Sequence, residues 1–339
     1  MAAAALYGFQ GESLTVDEKA FFRDAEPWGF ILFARNIDRP DQVRRLTDSL
    51  RDLMGWNAPV FIDQEGGRVQ RFKPPVWRAA PPAARFGELW DREPELALEA
   101  VGLNHRLLAA ELIACGVDAD FAPCLDLRIE GAHRVIGDRA FHRDPEAVSA
   151  MGGAAVAGLR EQGVLGVIKH IPGHGRAMVD SHDELTVVDA DEETLRGSDF
   201  RAFVGVDNVT MAMTAHVVYP AIDPDDPVTL SSEGVQRIIR GHIGFDGLLM
   251  TDDLSMKALD GPIRRSGERA ILAGCDLLMH CNGVMEEMID IAHAAPRLDG
   301  RALERAEAAL ADRGAAADFD PGAGKARLEA LFKEAGLEV

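Results

Sequence analysis

The sequence predicts a single α/β domain, a (β/α)8 barrel of the TIM type followed by C-terminal helices. Three observations predict it. Eight short runs rich in Val, Ile, Leu, Phe or Met recur without strict polar alternation, as strands buried on both faces do. A stretch with helical periodicity follows each run. Several runs end on a charged residue or a histidine, and barrel active sites lie at the C-terminal ends of the strands.

The strand runs, in order, are AAALYGF, GFILFA, APVFID, DADFAPCLDL, GVLGVIKH, VTMAMTAH, GLLMTDD and CDLLMHC. AAALYGF is the weakest, and the count of eight depends on it. Between them, RPDQVRRLTDSLRDLM places Val43, Leu46, Leu50 and Leu53 on one helical stripe. PELALEAVGLNHRLLAAELIACG is long and stops at Gly116. VDADEETL carries the acidic caps of a helix start, and SSEGVQRIIRGHIGF opens with Ser231 and Ser232 as candidate caps. A doubly wound open sheet competes with the barrel, but no G-x-G-x-x-G follows the first strand.

From Gly300 the chain becomes rich in Ala, Arg and Glu. This predicts a barrel domain over 1–299 and, over 300–339, one or two helices packed on its outside. GAGK, Gly322 to Lys325, lacks the upstream glycine and the following Ser/Thr of a phosphate loop, and reads as a linker.

Charge and cysteines narrow the function. Against 36 Lys and Arg stand 56 Asp and Glu, for a formal net charge of −20, which repels phosphate backbones and anionic membrane surfaces. Nucleic acid and membrane are therefore not expected partners; a small molecule bound by a monomer is. The cysteines 115, 124, 275 and 281 have no zinc-ligand spacing and lie in or beside apolar runs, as buried thiols of a reducing compartment do. The N-terminus lacks a signal-peptide pattern, and no apolar window spans a bilayer, so a cytoplasmic protein is expected.

Asp63, Lys169-His170, His216 and Asp252-Asp253 all fall at strand ends. One such residue is most simply a cap or turn residue; recurrence at one end of four strands points to a shared pocket. Asp63 opens DQEGGRVQRF, where two glycines permit a tight approach and Arg68 and Arg71 add charge. Arg139, set between apolar residues in VIGDRAF, requires an anion or a hydrogen-bonding ligand. Cations gathered in an acidic protein suggest a polar or anionic small ligand.

KHIPGHGRAMVDSHDEL, Lys169 to Leu185, invites a metal reading through His170, His174 and His182. Pro172-Gly173 breaks the helix that would put two of them on one face, so no metal is expected. Asp180 and His182 lie two apart, and in an extended segment Asp180 can hydrogen-bond and orient the His182 ring. His174 reads as a turn residue. Asp252, opposite a proton donor, could attack an electrophilic carbon, while Asp253 is a candidate cap for the following helix. No G-x-S-x-G supports a serine hydrolase.

VFIDQEGGRVQRF, GVIKHIPGHGRAMVDSH and GLLMTDDLSM together resemble glycoside hydrolase family 3, and within it the single-domain β-N-acetylglucosaminidases of bacterial peptidoglycan recycling. GFILFARNI, VIGDRAF, MTAHVVYP and GCDLLMHCN match in order, so the resemblance runs from about Leu6 to about Ala295. It implies a retaining glycosidase with Asp252 as nucleophile, His182 as acid/base and Asp180 as its partner. It also implies sugar contacts from Asp63, Arg71, Arg139, Lys169 and His170, with His216 beside them, and no cofactor.

The implied substrate is a saccharide, the terminal β-linked GlcNAc of GlcNAc-1,6-anhydroMurNAc and its peptides. A family 3 β-glycosidase of other specificity, a phosphorylase, a metal-dependent barrel hydrolase and a silent sugar-binding protein are the competing readings. Ile171 stands where the family usually has Phe, and SHDELTVVD departs downstream of His182. The Pro-Gly and Gly-His-Gly turns are expected to make the His182 loop flexible.

Overall fold

The computed structural model describes residues 1–132, 135–177, 185–206, 209–259 and 261–338. Eight parallel strands close a barrel: β1 (Ala3–Tyr7), β2 (Pro27–Leu32), β3 (Val60–Ile62), β4 (Ala119–Asp120), β5 (Leu165–Ile171), β6 (Met211–Thr214), β7 (Leu248–Asp253) and β8 (Leu277–His280). Each of the eight expected runs supplies one strand. AAALYGF closes the ring, with Ala5 opposite Leu278 of β8 and Leu6 opposite Gly29 of β2.

Alternation along each strand separates two cores. Leu6, Phe61, Val167, Met213, Met250 and Met279 pack inside the barrel. Their neighbours Tyr7, Ile62, Ile168, Ala212, Leu249 and Leu278 pack outward with the surrounding helices. Two residues beyond an inward position the side chain points inward again. That step carries Phe61 to Asp63, Val167 to Lys169 and Met250 to Asp252, which form the top layer of the barrel filling.

The helices start and stop where the caps predict. Thr15 and Glu18 form a reciprocal capping box on Val16–Ala25, and Asp191 accepts from the Thr194 amide ahead of Glu192–Gly197. Pro94–Ala114 ends before Gly116, whose φ of 77° suits glycine. Glu233–Ile243 winds as a π-helix, and of the two serines it is the Ser231 hydroxyl that accepts from the Gly234 amide.

The tail corrects one expectation. Gly322 to Lys325 form the first turn of the helix Pro321–Glu334, because Asp320 accepts from the Gly322 and Ala323 amides and Pro321 fits the first helical position. This helix lies along Pro94–Ala114, with Phe332 edge-on to Phe86 at 5.6 Å. The preceding helix, Gly300–Ala311, covers the opposite end of the barrel from the predicted site. There Ala306 and Ala309 join Ala4, Trp28 and Leu298, and Arg305 pairs with Asp276 at the base of β8 at 3.0 Å. No helix among the described residues is long and apolar enough to cross a membrane.

Candidate active site

Five charged side chains alternate in sign across the top of β3 and β5. Arg71 pairs with Asp63 at 3.0 Å, and Asp63 with the Lys169 ammonium at 2.8 Å. That ammonium also lies 2.7 Å from Glu65, whose carboxylate holds Arg139 through Nε at 2.8 Å and Nη2 at 2.7 Å. Lys169 is buried at 3% side-chain exposure and Glu65 at 7%, so these ions exist only because they neutralise one another. Burial alone would push both carboxyls up. Lys169 and Arg71 outweigh it and hold Asp63 well below the usual range, and Arg139 and Lys169 bring Glu65 down to about 2. Burial would lower Lys169, but the two carboxylates raise it instead.

A second network joins the segment that follows β4 to β5 and the turn after it. Asp126, fully buried, accepts from His170 Nδ1 at 2.6 Å, from the His174 amide at 2.6 Å and from the Cys124 thiol at 3.2 Å. His170 and, more weakly, His174 outweigh burial and hold Asp126 well below the usual carboxylate range. With Nδ1 turned to Asp126, Nε2 is the nitrogen His170 can offer to a ligand. Cys124, Asp126 and His170 could each offer one ligand atom to a metal within 4.8 Å of one another. Here the same atoms are joined by hydrogen bonds on one Asp126 oxygen.

Asp252 is the next-to-last residue of β7 and accepts from the Asp253 amide at 2.8 Å. Its charge works against the burial that lowers the His174 and His216 pKa values and adds to the burial that raises the Cys281 thiol. His216 is buried, with Nε2 3.1 Å from the Asp253 carbonyl and Nδ1 2.7 Å from the Thr229 hydroxyl. A carbonyl can only accept, so Nε2 carries a proton. Burial lowers the His216 pKa, against the pull of Asp252 and Asp253.

Comparison with known proteins identifies this architecture. The profile of the glycosyl hydrolase family 3 N terminal domain matches residues 15–309. The chain belongs to glycoside hydrolase family 3. The family 3 match reaches into the helix Gly300–Ala311. A beta-hexosaminidase of Alkalilimnicola ehrlichii is 42% identical over 285 residues, which is 82% of this chain and 80% of the relative. Native NagZ from Neisseria gonorrhoeae superposes with a TM-score of 0.85 at 32% identity, covering 100% of this chain and 98% of the other. The same protein in complex with N-trifluoroacetyl-D-glucosamine gives 0.83 at 31% identity, covering 99% and 96%.

The family 3 barrel brings Asp63, Arg71, Arg139, Lys169, His170, His216 and Asp252 to one end of the fold. Asp180 and His182 lie outside the described residues. Some expectations are corrected. The anion that Arg139 requires is internal, Glu65. His174 is more than a turn residue: it is buried, its ring lies 5.7 Å from that of His170, and burial brings its pKa down to about 4. Asp253 caps no helix; it accepts from the Ser255 and Cys281 amides and ties the ends of β7 and β8 together. Glu65, Asp126 and Asp120 were not picked out by the sequence. Asp126 is the next-to-last residue of the run DADFAPCLDL, so a search for polar residues near the ends of the runs could have found it as well.

Proposed function

We propose that this family 3 enzyme is a retaining exo-β-N-acetylglucosaminidase acting on muropeptide fragments, GlcNAc-1,6-anhydroMurNAc and its peptides. The observation that carries the reading is the shared inward layer of Asp63, Lys169 and Asp252, which sets a carboxylate beside a polar cradle at a barrel mouth. The N-acylated glucosamine bound by the gonococcal neighbour supports the choice of sugar. The four free cysteines suit a reducing cytoplasm.

In this reading Asp63, Arg71, Arg139, Lys169 and His170 bind the sugar, and His216 holds the end of β7 in place through the Asp253 carbonyl. The Asp252 carboxylate attacks the anomeric carbon as its bond to the leaving oxygen breaks, and His182 delivers a proton to that oxygen. His182 then takes a proton from water, the water oxygen bonds to the anomeric carbon, and the Asp252 carboxylate leaves. Asp180 orients the imidazole.

The test is peptide mapping after a fluorosugar inactivator. The label is expected on Asp252, and a label on any other residue overturns the nucleophile. The Cys124, Asp126 and His170 group favours a second reading, a metal-dependent hydrolase. Turnover of an aryl β-N-acetylglucosaminide that survives prolonged chelation rules for the first reading; loss restored by zinc rules for the second.

A further inference from the structure

We infer that Glu65 is the positioning residue that aims Lys169 and Arg139 into the barrel mouth and, by screening their charge, makes the site prefer a neutral sugar to an anionic one. The inference rests on the proposed sugar-binding role of those cations.

The geometry accounts for their donors one by one. An ammonium has three N–H groups. Asp63 at 2.8 Å and Glu65 at 2.7 Å take two of the Lys169 donors and leave one. Glu65 grips the Nε–Nη2 edge of Arg139, while among the described residues Nη1 makes only a long 3.4 Å bond to the Val135 carbonyl. Each cation is thus clamped on one side and retains donors on another. Glu65 can hold both because it rides the short hairpin of Gln64–Gly66 and Val69–Gln70. Gln64 pins this hairpin by accepting from the Arg71 and Phe72 amides.

The charge count gives the specificity. Arg71, Lys169 and Arg139 face the carboxylates of Asp63 and Glu65, a surplus of one positive charge that Asp252 in the same layer offsets. Without Glu65 the surplus over Asp63 is two, of which Asp252 offsets only one, and the place it vacates lies between two cations. Such a site attracts a phosphate or carboxylate.

The experiment compares wild type and Glu65→Gln on an aryl β-N-acetylglucosaminide, with N-acetylglucosamine and its 6-phosphate as competing ligands. Glu65→Gln should raise KM about tenfold with kcat changed far less, because contacts common to ground and transition states are lost. The preference for the neutral ligand should fall about tenfold or more. An unchanged ratio of the two inhibition constants overturns the inference. Should Glu65→Gln not fold, Glu65→Asp takes its place: the charge stays but the carboxylate is withdrawn, so KM rises while the neutral preference persists. A wild-type KM in Glu65→Asp overturns the positioning role. If the wild type itself fails to turn over the glycoside, the proposed function fails, and calorimetric titration of the same two ligands still reads the role of Glu65.

Discussion

Asp120 is a carboxyl group with no room to be an anion. It is fully buried at the end of β4, and one oxygen accepts from the Gln64 amide at 2.9 Å while the other has no partner among the described residues. Burial pushes its pKa up to about 8, and the charges of Asp63 and Glu65 add to the rise. An unfolded chain releases this proton near the ordinary value of ~3.9. Between those two pH values the folded chain binds a proton that the unfolded chain has lost, so this group makes stability fall as pH rises toward 8. Asp120→Asn keeps the acceptor for Gln64 and removes the titration. Its melting temperature should exceed that of wild type by a margin that widens from pH 5 to pH 8. Parallel melting curves across that range would show that Asp120 titrates normally. The sequence could not reveal such a residue, because Asp120 differs from Asp63 only in which side of the sheet it faces. The same limit hid Glu65: the need of Arg139 for an anion was legible, but its partner lies 74 positions away on a hairpin without strand periodicity.

Among the elements, the strands were readable because each lies in a short run rich in apolar residues without strict polar alternation, and even the alanine-rich β1 obeyed that rule. After β5 the structure describes residues 172–177, while the His182 loop expected to be flexible continues outside the described residues. Pro172-Gly173 and Gly173-His174-Gly175 look like sources of flexibility, yet in the fold they are sites of close approach. A Cβ on Gly175 would sit 2.3 Å from the Leu127 carbonyl oxygen, and Gly173 adopts a φ of 143° against Asp199. Composition cannot distinguish glycine chosen for freedom from glycine chosen for contact. Gly175→Ala should push residues 172–177 off the Leu127 backbone and move His174 from His170. An about tenfold or larger loss of kcat/KM, some 1.4 kcal/mol in the barrier, is expected with the cooperative melt retained. Wild-type kcat/KM in this variant would mean that the segment's seat on Leu127 is unimportant. The Gly322 to Lys325 stretch teaches the same lesson, since Asp320 and Pro321 decided its helicity over two glycines.

For the molecule as a whole, the C-terminal helix acts as a brace remote from the mouth. Leu328, Leu331 and Phe332 are buried on it, and burying one such side chain contributes about 1.5–3 kcal/mol. Ending the chain at Ala317 should therefore lower the melting temperature markedly while leaving KM near wild type below the new transition. A shortened protein that melts like the full chain would show that the helix braces nothing. The opposite end of the barrel is closed as well. Phe61 and Phe121 stack at 5.1 Å beneath the Lys169 ammonium, and Gly300–Ala311 lies across the floor below them. A filled barrel is a cul-de-sac. Whatever enters must leave by the same doorway, so both products of a hydrolysis have to back out over one threshold before the next substrate can come in.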